Sequence, residues 1–403
     1  MATHVGKSLE IKKDNWPQDL VLSILATLPA KSLLRFKCVS KHWRSMLINP
    51  DFVEQHLENQ RKKDYPQLVF ASTGSKTDIV LESVSIVDVK VEGQEGGVKT
   101  RKSFERSCLN ICHLPPDVCY MTNSCDGILC FYGKTNVFVY NPGTREFRIL
   151  QIGKVESSLA TSYSFDCFGQ LFCRYHLLGL GRDQVTKECK IIRLFRSKGE
   201  HENHNHECEV FTLNSDVGAS WRGIGEVAYF IRPAQQPAYV NGALHWILDD
   251  RHANPSEVII SFDLHTEKFK AISHPSCCIE ASLDQYKRHF MGLLSLRNSL
   301  CLILPESSLQ LQLNIWIMNQ SNGIWEKLFC IDWELMNYKI PLAFPITELK
   351  DGTFFVCHCG DNLQIYYPES KSFSEVLLRH ERVVMPSAYF ESLVSFYGEP
   401  LVN

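Results

Sequence analysis

The sequence predicts an α+β multidomain protein: a small helical unit at the N-terminus, then a large all-β domain built as a β-propeller. Three observations carry this. Apolar residues recur at helical spacing in the first stretch and at period two from Gln67 onward. A unit of two hairpins with the same internal order returns several times. The 403 residues, 44% of them apolar, suffice for one small and one large core. The expected limits are 14–58 for the helical unit, 59–66 for a linker and 67–398 for the β-domain.

The helical unit reads element by element. Pro17 suits a first turn, where its missing N–H is no loss. Leu20, Ile24 and Leu28 follow at i, i+4 and i+8, with Val21 and Leu25 beside them, and Pro29 ends the helix. "KSLLRFKCV" forms a second helix with Ser32 as its expected cap, and Ser40 caps a third, "KHWRSMLI". "DFVEQHLENQRKKD" gives one more short amphipathic helix before the chain turns polar.

Four segments show the β unit best. They begin at Cys125, Val240, Leu296 and Leu349. Each opens on a tight turn: Asp126-Gly127, Asn241-Gly242, Asn298-Ser299 or Asp351-Gly352. An apolar strand, a variable hairpin, a second apolar strand and a polar turn follow. An aromatic then opens the last strand: Phe147, Phe269, Trp325 or Phe373. "CEVFTLNSDVGASWRGIG" repeats the second half, with Trp221 in the aromatic place. Four-stranded repeats of this length predict blades, about six or seven of them. A two-sheet sandwich also explains the strands, but not the recurring unit. "VDVKVEGQEGGVKTRKSFER" (Val87 to Arg106) reads as a mobile hairpin or loop, and "RSKGEHENHNHECE" near residue 200 as an exposed loop.

A net charge of −3 argues against nucleic acid as the partner. The first residues lack an apolar signal region, and no run reaches the roughly 18 apolar residues of a membrane span. The expected location is cytoplasm, nucleus or both. Many of the 16 cysteines sit in apolar strand-like runs, among them Cys130, Cys301, Cys330 and Cys357, and read as buried thiols of a reducing compartment.

The first helix is apolar on more than one stripe: Leu20, Val21, Leu22, Ile24, Leu25 and Leu28. Such a helix needs cover on most sides, more than two short neighbours supply. The stretch "WPQDLVLSILATLPAKSLLRFKCVSKHWRSMLINPDFVEQHL" resembles an F-box, matching at Pro17, Asp19, Leu20, Ile24, Leu25, Leu28, Pro29, Lys31 through Phe36, Cys38 through Lys41, and Trp43. It departs at Trp16, where leucine is usual. "CDGILCFY…VFVYNPGTREFRIL", "YVNGALHWI…IISFDLHTEKF" and "LNIWIMNQSNGIWEKLF" resemble the F-box-associated domain of plant F-box proteins, which is kelch-like. The two resemblances imply a substrate receptor of a Skp1–Cullin–F-box ubiquitin ligase. Such a receptor docks on a Skp1-type adaptor, and through it on a cullin-based ligase, and holds an unidentified target protein. The expected adaptor-binding face carries Pro17, Leu20, Ile24, Leu28, Pro29, Leu33, Val39 and Trp43, shared between the small core and the adaptor. The alternative makes all of them the core of an internal helical cap on a scaffold that joins no ligase.

No catalytic, cofactor or metal residues are expected. His201, His204, His206 and Cys208 match no zinc spacing, and Cys357 to Cys359 lacks a partner pair. Neither a nucleophile elbow nor a phosphate-cradling loop is present. His245 beside Trp246 invites comparison with copper-binding propeller oxidases but reads as a core or rim residue. Trp221, Arg222 and Arg232 are candidates for target contact, Trp221 fitting blade core better. The receptor's expected contribution is proximity, which needs no catalytic residue.

Overall fold

The computed structural model describes residues 17–63, 66–73, 78–92, 98–113, 120–133, 135–152, 163–165, 171–173, 176–196, 206–213, 220–232, 236–248, 258–278, 287, 291–306, 312–332, 343–349, 351–358, 363–377 and 383–397. Trp16, His201, His204 and Cys359 lie outside them.

Four helices come first: α1 (Gln18–Leu25), α2 (Ala30–Phe36), α3 (Lys41–Ile48) and α4 (Pro50–Arg61). Pro17 is the residue before α1, and its carbonyl accepts from the N–H groups of Leu20 and Val21. Pro29 both ends the turn after α1 and starts α2, which lacks a local side-chain cap. Ser32, expected as that cap, lies inside the first turn instead, because the proline's fixed φ starts the helix earlier. Ser40 does cap α3, its Oγ accepting from Trp43 N at 3.1 Å. Asn49 caps α4, with Pro50 in the first turn. Leu25, Ala26, Ala30, Leu33, Leu47 and Phe52 form the small helical core.

Among the described residues, the strands, numbered in chain order, form six four-stranded sheets. The first blade is β26 (Val383–Tyr389), β1 (Gln67–Thr73), β2 (Asp78–Glu92) and β3 (Val98–His113). The second is β4 (Tyr120–Met121), β5 (Leu129–Tyr132), β6 (Asn136–Asn141) and β7 (Glu146–Gln151). A two-stranded pair, β8 (Tyr163–Phe165) with β9 (Leu171–Cys173), follows. The third blade is β10 (His176–Arg182), β11 (Cys189–Arg196), β12 (His206–Thr212) and β13 (Arg222–Val227); the fourth is β14 (Ala238–Val240), β15 (Ala243–Ile247), β16 (Ile259–Asp263) and β17 (Lys268–Ile272). The fifth is β18 (Gly292–Leu296), β19 (Ser299–Pro305), β20 (Gln312–Met318) and β21 (Trp325–Asp332). The sixth is β22 (Ala343–Glu348), β23 (Phe354–His358), β24 (Leu363–Tyr367) and β25 (Ser372–Leu377).

Inner strands of neighbouring blades lie side by side: β26 by β4, β10 by β14, β14 by β18, β18 by β22, and β22 by β26. Blades two and three share a core through Cys130, Val139, Leu178 and Ile191. The sheets thus form a propeller, closed by the C-terminal strand pairing antiparallel with the first, Gln67 opposite Tyr389. Closure by β26 pairs the inner edge of β1 and completes the first blade as a four-stranded sheet.

The turns explain the repeat. Asp126 and Gly127 have φ of 49° and 76°, and Asn241 and Gly242 have 48° and 79°, the paired positive values of a tight hairpin turn. The third turn is Arg297-Asn298, one residue earlier than expected, because Leu296 pairs with Ser299. The polar turns share a second device. Asn141, Asp183, Asp263 and Asn319 each accept a backbone N–H two residues on, and each carbonyl accepts from the residue four on. The aromatics then sit opposite the preceding strand: Phe147 faces Tyr140, Phe269 faces Phe262, Trp325 faces Met318 and Phe373 faces Tyr366. Of Val87 to Arg106, the described residues 87–92 and 98–106 belong to the long antiparallel β2–β3 hairpin, paired from Val87–Ser103 to Glu92–Val98, which is the hairpin of the two forms expected there. Near residue 200, the expected loop gives way to β12 at His206, and His206 and Cys208 are buried there by strand alternation.

Candidate partner-docking face of the helical unit

The structure separates the apolar residues of α1 into two sets. Leu25 and Ala26 point into the small core, and Val21, Leu22 and Leu28 are half-buried against it. Leu20 and Ile24, one turn apart, stand 43% and 54% exposed, and Pro17 one turn earlier is exposed too. The i, i+4 spacing places Leu20 and Ile24 on one stripe. Val39, in the turn between α2 and α3, is 65% exposed, and Pro29 is exposed. Trp43 is half-buried, its ring edge-on to Phe36 at 5.3 Å. Leu33 is 0% exposed and belongs to the core. The expected face therefore divides: Leu33 is internal, Leu28 and Trp43 straddle the boundary, and Pro17, Leu20, Ile24, Pro29 and Val39 face outward.

The flanks of this face are cationic. Between residues 17 and 48 stand Lys31, Arg35, Lys37, Lys41 and Arg44 against one carboxylate, Asp19, in a chain whose net charge is −3. Lys31, Arg35, Lys41 and Arg44 are exposed. Lys37 is the inward one: burial lowers its pKa, partly offset by Glu146 in blade two. Because Leu20, Ile24 and Val39 are about half exposed, leaving them uncovered forgoes roughly half of the ~1.5–3 kcal/mol that full burial of each contributes, which a covering surface would recover.

Helix α4 fixes the face to the propeller. Leu57 enters the apolar core shared by blades two and three, while Val53 touches that core and the helical one. Around it lies an ion cluster. Arg182, at the end of β10, holds Asp126 at 3.2 Å, Glu54 at 2.8 Å and the Lys187 carbonyl at 2.9 Å, and Arg61 also pairs with Asp126. Asp126 is thus both the turn residue of blade two and the anchor of α4. His56 Nε2 donates to the Leu28 carbonyl at 3.0 Å, tying α4 to the turn after α1, and burial lowers its pKa.

The remaining candidates are engaged in structure. His245 and Trp246 are buried in blade four, His245 Nδ1 donating to the Ala238 carbonyl at 3.1 Å. Burial lowers the His245 pKa to about 4. Trp221 packs on the core of blades two and three and donates to the Gln151 carbonyl at 3.1 Å. Arg222 pairs with Glu267 of the next blade at 2.7 Å, and Arg232 reaches the Met291 carbonyl at 3.4 Å. Among the described residues no three metal-ligating side chains gather, and no helix is long and apolar enough to cross a membrane. Ten cysteines are free thiols among the described side chains; Cys125, Cys130, Cys189, Cys208, Cys278 and Cys301 are buried, while Cys330, expected to be buried, is half-buried. Sequence reasoning missed the Asp126–Arg182 anchor, whose partners lie 56 residues apart with no local pattern joining them.

Two family models agree with this architecture. The family model described as the F-box associated beta propeller domain matches residues 77–396, and the F-box domain model matches residues 14–55. The chain belongs to the F-box-associated β-propeller family and carries an F-box at its N-terminus. Among its relatives are two proteins of Arabidopsis thaliana. An F-box/LRR-repeat/kelch-repeat protein is 27% identical over 95% of this chain and 97% of its own length. An F-box protein is 26% identical over 95% of this chain and 99% of its own length. Among solved structures, a mutant of AofleA from Arthrobotrys oligospora aligns with a TM-score of 0.40 and 8% identity over 82% of this chain and 91% of that one. An oligogalacturonate lyase in complex with manganese aligns at 0.37 and 9% over 74% and 73%. The family membership supports, in general terms, a substrate-recognition role in SCF ubiquitin ligases.

Proposed function

We propose that this chain is the substrate-recognition subunit of a Skp1–Cullin–F-box E3 ubiquitin ligase. The F-box docks on a Skp1-type adaptor through Pro17, Leu20, Ile24, Pro29 and Val39, with Leu28 and Trp43 at the edge of the contact. The propeller holds a target protein and presents it for ubiquitination. The chain itself performs no chemistry. It works in cytoplasm or nucleus, where the adaptor and cullin act. Its catalytic contribution is to replace a free encounter by a local one at high effective concentration.

The observation that carries this reading is the outward stripe of Leu20 and Ile24 on a helix whose other apolar residues already fill the small core. A purely internal cap has no use for that stripe, and large exposed apolar side chains grouped on one element mark a contact surface. The test is co-expression with a Skp1-type adaptor. A stable one-to-one complex, lost when Leu20 and Leu28 become Asp while the propeller stays folded, supports it. No complex with the wild-type chain, or global unfolding by those changes, returns the helical unit to an internal cap.

A further inference from the structure

The segment after β26, residues 390–397, belongs to neither domain alone. It follows directly on Tyr389, whose partner is Gln67 at the first strand of the propeller. Leu393 is 2% exposed and sits in the helical core with Leu25, Leu33 and Leu47. Glu391 accepts from Ala30 N at 2.9 Å, capping α2, the helix that has no cap of its own. The neighbouring residues face the other way. Val394 and Phe396 enter the core of blades two and three beside Leu57. Asn141 Nδ2 donates to the carbonyls of Ser392 at 3.2 Å and Val394 at 2.8 Å.

The strap is pressed against blade two. A Cβ added to Gly127 would lie 2.3 Å from Ser392 Cβ, and one added to Gly143 would lie 2.5 Å from the Ser392 carbonyl oxygen. Those two glycines leave the space through which the strap passes. Glu146 completes the seat, accepting from Ser395 Oγ at 3.0 Å and Phe396 N at 3.3 Å.

We infer that Glu391 and Leu393 are positioning residues of the F-box, brought into place only when β26 closes the propeller. The F-box core and the start of α2 are completed by residues more than 340 positions away in sequence, on a strap that β26 aims. A chain with an open ring lacks both. The docking face is therefore finished only on a finished propeller, and the two parts move as one body. The docking consequence rests on the function proposed above; the coupling of F-box to ring closure does not.

The test is hydrogen exchange on the full chain. Leu393→Ala is expected to speed amide exchange in α1 to α3 by roughly 30-fold or more, the lower end of a buried Leu→Ala truncation. Exchange in β15 and β16 of the distant fourth blade stays within about 2-fold, and Leu393→Met restores most of the protection. Glu391→Ala, which removes one cap, gives a smaller rise of about 5-fold confined to the start of α2. Unchanged exchange in α1 to α3 in folded Leu393→Ala overturns the inference, and so does an equal rise in every blade. If Leu393→Ala does not fold, Leu393→Val is read in the same way. Adaptor affinity is measured separately: a wild-type chain that binds no adaptor sinks the proposed function, while the exchange pattern still decides the coupling.

Discussion

Trp246 in blade four and Leu20 in the F-box are both large apolar side chains on regular elements, yet one is 1% exposed and the other 43%. The propeller can seal its apolar residues because each blade is covered by two neighbours and the ring has no end. Trp246 is packed with Leu244, Ile260 and Phe262 in the core of blades three and four. The F-box has four short helices and one borrowed leucine, so its α1 is covered on one side only. In the propeller, burial is spent on stability; in the F-box, part of the apolar surface stays uncovered, on the face proposed to meet the adaptor. Apolar side chains with similar transfer free energies thus serve two ends, and position in the fold decides which.

The comparison breaks most visibly at Trp246. Trp246→Ala is expected to cost about 3–5 kcal/mol in denaturant unfolding. A cost under about 1 kcal/mol would mean that the ring is not tightly packed there. The next largest effect is acid. His245 is buried neutral with a pKa near 4, against an ordinary unfolded value near 6.5. Because the unfolded chain binds the extra proton first, stability is full above about pH 6.5 and falls as pH drops toward 4, by about 3 kcal/mol for this residue. Unfolding at pH 7 and pH 4.5 checks it: His245→Gln should flatten part of the wild-type slope.

The junction sharpens the contrast between regions. Arg182→Ala strips Asp126 and Glu54 of a shared cation, though Arg61 still holds Asp126. The expected loss is about 2–3 kcal/mol, read as destabilisation of α4 and of blades two and three together. Leu20→Asp should do the reverse of Trp246→Ala. Adaptor affinity should drop about 30-fold, near 2 kcal/mol, with the unfolding midpoint almost unmoved. Surface plasmon resonance beside thermal unfolding separates the two readouts. The smallest effect concerns the cationic flank. Reversing Lys31, Arg35, Lys41 and Arg44 to Glu should slow adaptor association about 10-fold at low salt and little at high salt. An association rate indifferent to salt would show that these charges face away from the partner.

Much of this molecule was legible along the chain. Period two, the recurring turns and the aromatic opposite each polar turn are local signals, because a hairpin is made by neighbours in sequence. The same holds for Pro17, Ser40 and Pro50, which set helix starts through their own backbone or side chain. The range of six or seven blades came from the same periodicity. What escaped was non-local. The first blade hides in sequence because its inner strand arrives 316 residues after its neighbour begins, Val383 against Gln67. The length of β2 and β3 was not legible, and a hairpin and a loop stayed equally open there, because charged and glycine-rich residues dilute the alternation.

The amino-acid order by itself determined the two-part architecture, the repeat, the F-box match and the surplus of apolar residues on α1. Period and turn chemistry act within a few residues, so no folding of the whole was needed to see them. Only the tertiary structure decided which of those apolar residues are internal. Leu33 and Leu20 occupy equally greasy stretches of sequence, but α3, α4 and the C-terminal strap converge on one and leave the other uncovered. It also decided that Glu391 and Leu393 complete the F-box, because ring closure, a contact between the two ends of the chain, carries them there.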